Sequence, residues 1–279
     1  MKKITLEMLE KFKEYLIEDE KSAVTIEKYL RDIKAFIRWS HGKELTKSLV
    51  LDYKAYLIQN FSPASVNSMI SSLNTFFCYK KEYRFKIKLI KIQRKIFINK
   101  EKELTRAEYE RLLCAANKKE NKRLYYLIQT ICSTGIRVSE LRFITVEAVC
   151  KGQAVINCKG KMRTVIIPGQ LCKILSLYIK ERKITTGSIF ITKTGKPLDR
   201  SNICHDMKKL CKMANVSKEK VFPHNLRHLF ARTYYSIQKD IVRLADILGH
   251  SNINTTRIYT METGDIHRAQ LQKLGLLIC

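Results

Sequence analysis

The sequence predicts a mainly α-helical protein that carries a small antiparallel β-sheet in its C-terminal part. Most of the chain shows apolar residues at the spacing of amphipathic helices. Two short alternating stretches, Ala154–Asn157 and Arg163–Ile167, flank the turn Cys158-Lys159-Gly160-Lys161 in the pattern of a β-hairpin. The chain has 279 residues, enough for two domains with separate cores.

Residues 1–83 are expected to form one helical domain. Its four predicted helices run from Thr5 to Asp19, from Ser22 or Thr25 onward, from Lys47 to Asn60, and from Ser62-Pro63 to Tyr79. The serine before a proline suits the cap and first turn of the fourth helix, because proline needs no hydrogen-bond acceptor there.

A basic segment follows this helical domain. Residues 84–100 hold seven Lys or Arg and no acidic residue, and basic and apolar residues alternate. The alternation fits an edge strand with one solvated face. The absence of acids favours a linker that follows a DNA backbone, and we assign this linker to residues 84–102.

The second domain is expected to span residues 103–279. Thr105 and Glu108 form a predicted capping box, with Leu104 and Tyr109 placed for a hydrophobic staple. A short strand is predicted at Ser188–Thr192. The further helices expected in this domain cover residues 123–133, 170–183, 200–214, 225–237 and 240–248.

Composition narrows the class of protein. The chain has 53 Lys and Arg against 26 Asp and Glu, a net charge of +27, which favours a nucleic-acid partner although heparin-binding and membrane-surface proteins share such charge. Nine cysteines without a CxxC pair indicate core residues in a reducing compartment. With no signal-like start and no run of 18 apolar residues, the chain is predicted to be cytoplasmic and without a membrane span. It has neither a GxxxxGK[ST] nor a GxGxxG motif, so no nucleotide cofactor is expected.

Four segments of the second half contain residue types suited to phosphate chemistry. In chain order they are Ser133-Thr134-Gly135-Ile136-Arg137-Val138-Ser139-Glu140-Leu141, Cys158-Lys159-Gly160-Lys161, His224-Asn225-Leu226-Arg227-His228, and Leu248-Gly249-His250 followed nine residues later by Tyr259. Each segment alone has an ordinary structural explanation, such as an exposed turn lysine or a glycine that ends a helix. Their joint occurrence in this order is what requires an explanation.

Together these segments resemble the tyrosine recombinase (phage integrase) family. TGIRVSEL, the KGK turn, HNLRH and LGHSNINTTRIYT are similar to its signature segments, over about residues 103–279. The N-terminal helices resemble its core-binding domain. The resemblance implies a helical core-binding domain followed by a catalytic domain that cuts and rejoins double-stranded DNA through a 3′-phosphotyrosyl bond, without metal or cofactor.

The resemblance also implies roles for particular residues. Arg137 and Arg227 would clamp the scissile phosphate, because a guanidinium donates paired hydrogen bonds to phosphate oxygens, and His250 would donate to the same oxygens. Tyr259 would be the nucleophile, with the two arginines favouring its phenolate, and His224 would be the base or proton relay.

The general acid that protonates the leaving oxygen would be Lys159. Because the turn is one residue shorter than the family's usual KGxK form, Lys161 remains a rival. Glu140 is expected to orient the site. The remaining histidines, His41, His205, His228 and His267, are taken as ordinary residues.

The tail after Tyr259 is apolar, and two interpretations stay open: a helix folded on its own domain, or an exchange helix that packs on a neighbouring protomer in a homo-tetramer on DNA. Two other functions are also considered. One is a type IB topoisomerase, which uses a similar set of residues, and the other is a DNA-binding protein without catalysis.

Overall fold

The computed structural model describes Thr5 and residues 7–92, 100–158, 161–192, 194–260 and 272–273. It divides the chain into two compact units, Met1–Arg94 and Lys95–Cys279. Within the described ranges the protein is mainly helical with one two-stranded antiparallel sheet, which confirms the predicted class of secondary structure.

The first unit is a bundle of four helices around an apolar core. They are α1 (Glu7–Glu18), α2 (Ala23–Ser40), α3 (Lys47–Asn60) and α4 (Pro63–Tyr79). The cap residues predicted from sequence act at α4, where the Ser62 side chain accepts from the Ser65 amide and Pro63 occupies the first turn. Aromatic side chains fill the centre, and Phe12 meets Phe76 edge to face with ring centroids 5.2 Å apart.

Residues 86–92 pack against this first core but form no strand, so the possible edge strand is wrong for this stretch. Ile87 is buried while Lys86 and Lys88 are exposed, which explains the alternation of the sequence. Two asparagines of α4 take the place of a neighbouring strand. Asn74 Nδ2 donates to Ile87 O (2.9 Å) and its Oδ1 accepts from Ile87 N (3.0 Å); Asn67 pairs likewise with Ile90 (2.9 and 2.7 Å).

We predict that Asn74→Ala lowers the free energy of unfolding by about 1–3 kcal/mol, because it leaves a partly buried amide and carbonyl of Ile87 without partners. Urea unfolding measures the change. The matched control is Asn60→Ala on α3, whose side chain makes one exposed bond to Tyr56 O and should change stability by less than about 0.5 kcal/mol. Equal effects of the two substitutions would contradict the role given to Asn74.

The second unit contains most of the helices and the hairpin. The helices are α5 (Arg106–Lys118), α6 (Lys122–Thr134), α7 (Val146–Lys151), α8 (Gly169–Glu181), α9 (Arg200–Lys208), α10 (Cys211–Ala214), α11 (Pro223–Gln238), α12 (Ile241–Leu248) and α13 (Ile253–Thr256). Short 3₁₀ helices lie at Lys100–Lys102, Val138–Phe143 and Arg257–Tyr259, and another at Tyr83–Phe85 in the first unit. None of the helices in the described ranges is both long and apolar enough to cross a membrane.

The predicted start of α5 is confirmed in detail. The Thr105 side chain accepts from the Glu108 amide, and the Glu108 carboxylate accepts from the Thr105 amide. The proposed staple residues, Leu104 and Tyr109, belong to the same apolar core. This core also contains the inward faces of α6, α8 and α11.

The hairpin consists of β1 (Gln153–Cys158) and β2 (Lys161–Ile166), paired antiparallel from Gln153 opposite Ile166 to Cys158 opposite Lys161. On β2 the outward Met162 and Ile166 alternate with inward residues, among them Arg163 and Val165. The hairpin therefore turns one arginine toward the interior.

Two predicted elements differ from the structure, and some elements of the structure were not predicted. The expected helix over 200–214 is interrupted between α9 and α10. The predicted strand at Ser188–Thr192 is wrong: Ser188 and Ile191 form only isolated bridges, to Thr145 and Pro197. The helices α7 and α13 and the turn of helix at Val138–Phe143 were not predicted. The tail assigned to an exchange helix lies outside the described residues except Gln272–Lys273.

Two glycines end helices where the chain must turn toward one centre. Gly135 follows α6 with φ +63° and Gly249 follows α12 with φ +64°, a left-handed conformation that favours glycine. A Cβ on Gly249 would also lie 2.4 Å from the Arg163 side chain. These turns direct Arg137 and His250, two residues and one residue further on, toward α11.

Candidate active site

A buried guanidinium, that of Arg227 on α11, lies at the centre of the site. Arg227 is 1% exposed. It donates to the carbonyl oxygens of Gly135 and, at 2.8 Å, Leu248, and its Nη2 lies 2.9 Å from His250 Nε2. Burial, and then the nearby Arg137, lower the pKa of Arg227 to about 10, so the group stays charged at neutral pH.

The second arginine, Arg137, is held by Glu140. Arg137 Nη1 donates to Glu140 Oε1 at 3.0 Å, the Arg137 amide donates to Oε2 at 2.9 Å, and Nη2 donates to Gly249 O at 3.3 Å. Burial would raise the pKa of Glu140, but the Arg137 amide and the Arg163 guanidinium outweigh burial and lower it. Glu140 is therefore ionised and orients Arg137.

Arg163 is a site residue that the sequence analysis missed. Its Nη2 donates to Glu140 Oε2 at 2.6 Å and its Nη1 donates to Ile247 O at 2.7 Å. It thus joins the hairpin to both Glu140 and the end of α12. The signal was present, because the two-residue period of β2 places Arg163 on the same face as buried Val165.

His250 is fixed in one tautomer by its neighbours. Because a guanidinium only donates, His250 Nε2 accepts from Arg227, so Nδ1 carries the proton and donates to the buried Thr256 Oγ1 at 2.8 Å. Burial and the charges of Arg227 and Arg137 lower the pKa of His250 to about 4. This differs from the expected role as a phosphate donor: Nε2 has no proton to give while it faces Arg227.

Tyr259 lies in the 3₁₀ turn Arg257–Tyr259 and is 5% exposed. Its ring stacks on His250 (centroids 6.3 Å, 15°) and meets His228 edge to face (5.2 Å, 83°). Burial raises the pKa of Tyr259 in spite of Arg227 and Arg137, whose charges lower it. The two arginines favour the phenolate, as expected, but the effect of burial on the pKa is larger.

His224 contacts His228, which in turn contacts Tyr259. The ring centroids of His224 and His228 lie 4.5 Å apart, on successive turns of α11. Although His224 keeps an exposed surface, partial desolvation and then the charge of His228 lower its pKa to about 4. His224, Arg137 and Arg227 line one cleft of about 200 Å³, which Arg200 and Cys204 of α9 also line. Arg200 was not singled out from sequence, and His228, although it ends the HNLRH segment, was taken as an ordinary residue.

The structure thus brings five of the six predicted residues together: Arg137, Arg227, His224, His250 and Tyr259. The sixth, Lys159, lies outside the described residues. Its rival Lys161 is the first residue of β2, paired with Cys158. Among the residues that the structure describes, no group of three or more His, Cys, Asp or Glu is arranged to hold a metal ion.

Comparison with known proteins identifies the family. The model of the phage integrase family matches residues 102–264, and that of the phage integrase N-terminal SAM-like domain matches residues 9–83. The tyrosine recombinase XerA of Thermococcus kodakarensis is 29% identical over 97% of this chain and 96% of its own length. The tyrosine recombinase XerD of Vibrio cholerae is 25% identical over 85% of each chain.

Solved structures show the same fold. The XerA recombinase crystal structure, 27% identical, covers 98% of this chain and 99% of its own, with a TM-score of 0.53. A lambda integrase dimer bound to a COC′ core site, 19% identical, covers 92% of this chain and 77% of its own, with a TM-score of 0.72.

The fold and the site define a tyrosine-type DNA breaking and rejoining enzyme. The chain belongs to the phage integrase family. The predicted fold, a helical N-terminal domain followed by a recombinase catalytic domain, and the predicted enzyme class, a site-specific DNA recombinase, are confirmed.

His224 and His250 make the stability of the second unit depend on pH. Their pKa values of about 4 lie below the value near 6.5 of an unfolded chain, so between these pH values the unfolded chain binds protons that the folded chain does not. We predict that the free energy of unfolding falls as pH decreases from about 7 to about 4.5. Urea unfolding across this range, compared with His250→Gln, checks this: the variant should show a shallower fall, and an identical fall would contradict it.

Proposed function

We propose that this chain recombines double-stranded DNA at specific sites by forming a 3′-phosphotyrosyl bond with Tyr259. The observation that carries the proposal is the convergence of two guanidiniums and two imidazoles around one buried phenol. Arginine, histidine and tyrosine in that arrangement fit an attack on a phosphodiester, whose charge must be offset before a nucleophile approaches.

The two arginines would form the phosphate clamp. The Arg137 side chain is partly exposed at the cleft and can reach a ligand. Arg227 is buried and bonded to the carbonyls of Gly135 and Leu248 and to His250. In addition, Arg227 Nε has no hydrogen-bond partner in the structure. A buried donor without a partner is costly, and a phosphate oxygen would supply the partner.

Tyr259 would supply the attacking oxygen. Its phenolic oxygen bonds to phosphorus, the bond from phosphorus to the 5′ oxygen breaks, and the phenolic proton passes to a base. His224 is the proposed base or proton relay, because its imidazole is uncharged at pH 7 and is connected to Tyr259 through His228. An incoming anionic phosphate would offset the charges of Arg227 and Arg137, which now oppose protonation of His250, and would let His250 become a donor to it.

The departing 5′ oxygen would take a proton from Lys159, with Lys161 as the rival in the same turn. Attack by a 5′-hydroxyl on the phosphotyrosine reverses each step and reseals the strand. Both directions need only groups of the protein and the DNA, so no cofactor is proposed.

We also propose separate roles for three parts of the chain. Residues 1–83 would bind the DNA core site, residues 84–102 would follow its backbone, and residues 103–279 would catalyse. The charge of +27 supports a DNA partner. Similarity to a lambda integrase tetramer bound to a Holliday junction supports a homo-tetramer on DNA, with the C-terminal tail as exchange helix.

The seven cysteines described as free thiols fit a reducing compartment, and we propose the cytoplasm.

Tyr259→Phe should abolish the covalent adduct and retain DNA binding. DNA captured covalently by the wild-type chain is sequenced and rebuilt as the target duplex, and adducts are then scored as shifted bands on a denaturing gel. The matched control is Tyr235→Phe, a tyrosine of α11 packed against the same small apolar cluster, which should keep the adduct. An adduct that persists in Tyr259→Phe would refute the assignment.

The two lysines can be separated chemically. A duplex with sulfur at the 5′-bridging position has a leaving group that needs no proton. This duplex should restore cleavage to Lys159→Ala and leave Tyr259→Phe inactive, in a single-turnover assay. Restoration of Lys161→Ala instead would transfer the role of general acid to Lys161.

A further inference from the structure

The segment just before α5 is attached to α11, the helix that carries Arg227. Asn225 Nδ2 donates to Lys102 O at 3.0 Å, and Arg232 Nη2 donates to Leu104 O at 2.8 Å. Between these two anchors the Glu103 carboxylate points at α11 and contacts Arg232 Nη1 and His228 Nδ1, the latter at 3.7 Å. Burial would raise the pKa of Glu103, but His228 and Arg232 outweigh it and keep the carboxylate ionised.

His228 connects this carboxylate with the phenol. Its imidazole is 20% exposed and meets the Tyr259 ring edge to face, with centroids 5.2 Å apart. On its other side it meets His224. Its second nitrogen, Nε2, is buried without a hydrogen-bond partner in the structure, and Glu103 Oε1, 3.7 Å from Nδ1, is a charged group close enough to attract an N–H on that nitrogen.

We propose that Glu103 is a positioning residue for Tyr259 and acts through His228. A carboxylate at Nδ1 favours the proton on that nitrogen and fixes the ring plane, as carboxylates do for functional imidazoles elsewhere. A fixed His228 ring then restrains the Tyr259 ring. The proposal rests on the proposed role of Tyr259 as nucleophile, and restraint matters there because in-line attack is sensitive to displacements of about 1 Å.

A purely structural role for Glu103 is the alternative. The attachment of residues 102–104 to α11 does not require the carboxylate, since the bonds from Asn225 and Arg232 to backbone carbonyls already provide it. The carboxylate also lies close enough to Tyr259 for its charge to raise the pKa of the phenol. Both facts favour a role directed at the site.

The test combines Glu103→Gln, His228→Phe and the double variant, with single-turnover adduct formation on the target duplex as readout. Glu103→Gln should slow adduct formation about tenfold with unchanged DNA affinity, and Glu103→Asp should recover part of the loss. His228→Phe keeps a ring of similar size but cannot pair with Glu103, so it should show a similar loss. Because Glu103 acts through His228, the double variant should lose about tenfold, not about a hundredfold.

Glu108→Gln is the matched control. Glu108 lies in the first turn of α5, directly after this segment, and pairs with Lys220, with side-chain exposures of 13% and 16%, but it has no described contact with His228 or Tyr259. It should lower the thermal midpoint without slowing adduct formation. Multiplied losses in the double variant, or an unchanged rate in Glu103→Gln, would overturn the proposal.

A second readout does not depend on catalysis. With 3-fluorotyrosine at position 259, fluorine NMR of the DNA-free protein reports the environment of the ring. Glu103→Gln and His228→Phe should both shift or split the signal, whereas Glu108→Gln should leave it in place. If the Tyr259→Phe variant still formed adducts, the proposed role of Tyr259 as nucleophile would fail. The fluorine signal would still decide whether Glu103 and His228 position the Tyr259 ring.

Discussion

The buried guanidinium of Arg227 is the interaction on which the site depends. A charged side chain at 1% exposure is tolerated only with partners, and here the partners are carbonyls at the ends of α6 and α12 together with His250. Because a guanidinium is planar, these bonds fix the two helix ends relative to α11. The chain leaves α6 and α12 through left-handed glycines directly at these points, so the turns that deliver Arg137 and His250 are held by the same group.

The site disfavours the charged forms of both histidines and of Tyr259. The cations that would stabilise a phosphate now oppose protonation of both His224 and His250, and burial keeps Tyr259 a phenol. Glu140 offsets part of this positive charge, because its buried carboxylate lies between Arg137 and Arg163. An incoming phosphodiester would supply negative charge that favours protonation of both histidines, so phosphate binding and protonation of His250 would be coupled through electrostatics.

Much of the architecture could be predicted from sequence because it depends on local patterns. The helix bounds in the first unit follow from apolar periodicity and from caps such as Ser62-Pro63, and the hairpin follows from alternation on either side of a glycine turn. The candidate site residues could be named because their order along the chain resembles a family. Neither the local patterns nor the order of residues along the chain specifies the distances between side chains.

What could not be predicted depends on contacts between distant segments. Arg163 and Glu140 are 23 residues apart and meet only when the hairpin packs on the turn after α6. Glu103 and His228 are farther apart still, and only tertiary structure brings them together. The tautomer of His250 likewise follows from Arg227 facing its Nε2, which no spacing in the sequence specifies.

The asparagine pairs of α4 have a consequence for how copies of this chain meet in solution. An extended, apolar and basic stretch such as residues 86–92 would normally offer its backbone to a strand of another molecule. Here both polar backbone groups of Ile87 and of Ile90 are occupied by asparagine side chains, and lysine ammonium groups cover the carbonyls of Lys86 and Lys88. These bonds occupy backbone groups that a strand of another molecule would need, so the stretch is a poor partner for intermolecular β-pairing.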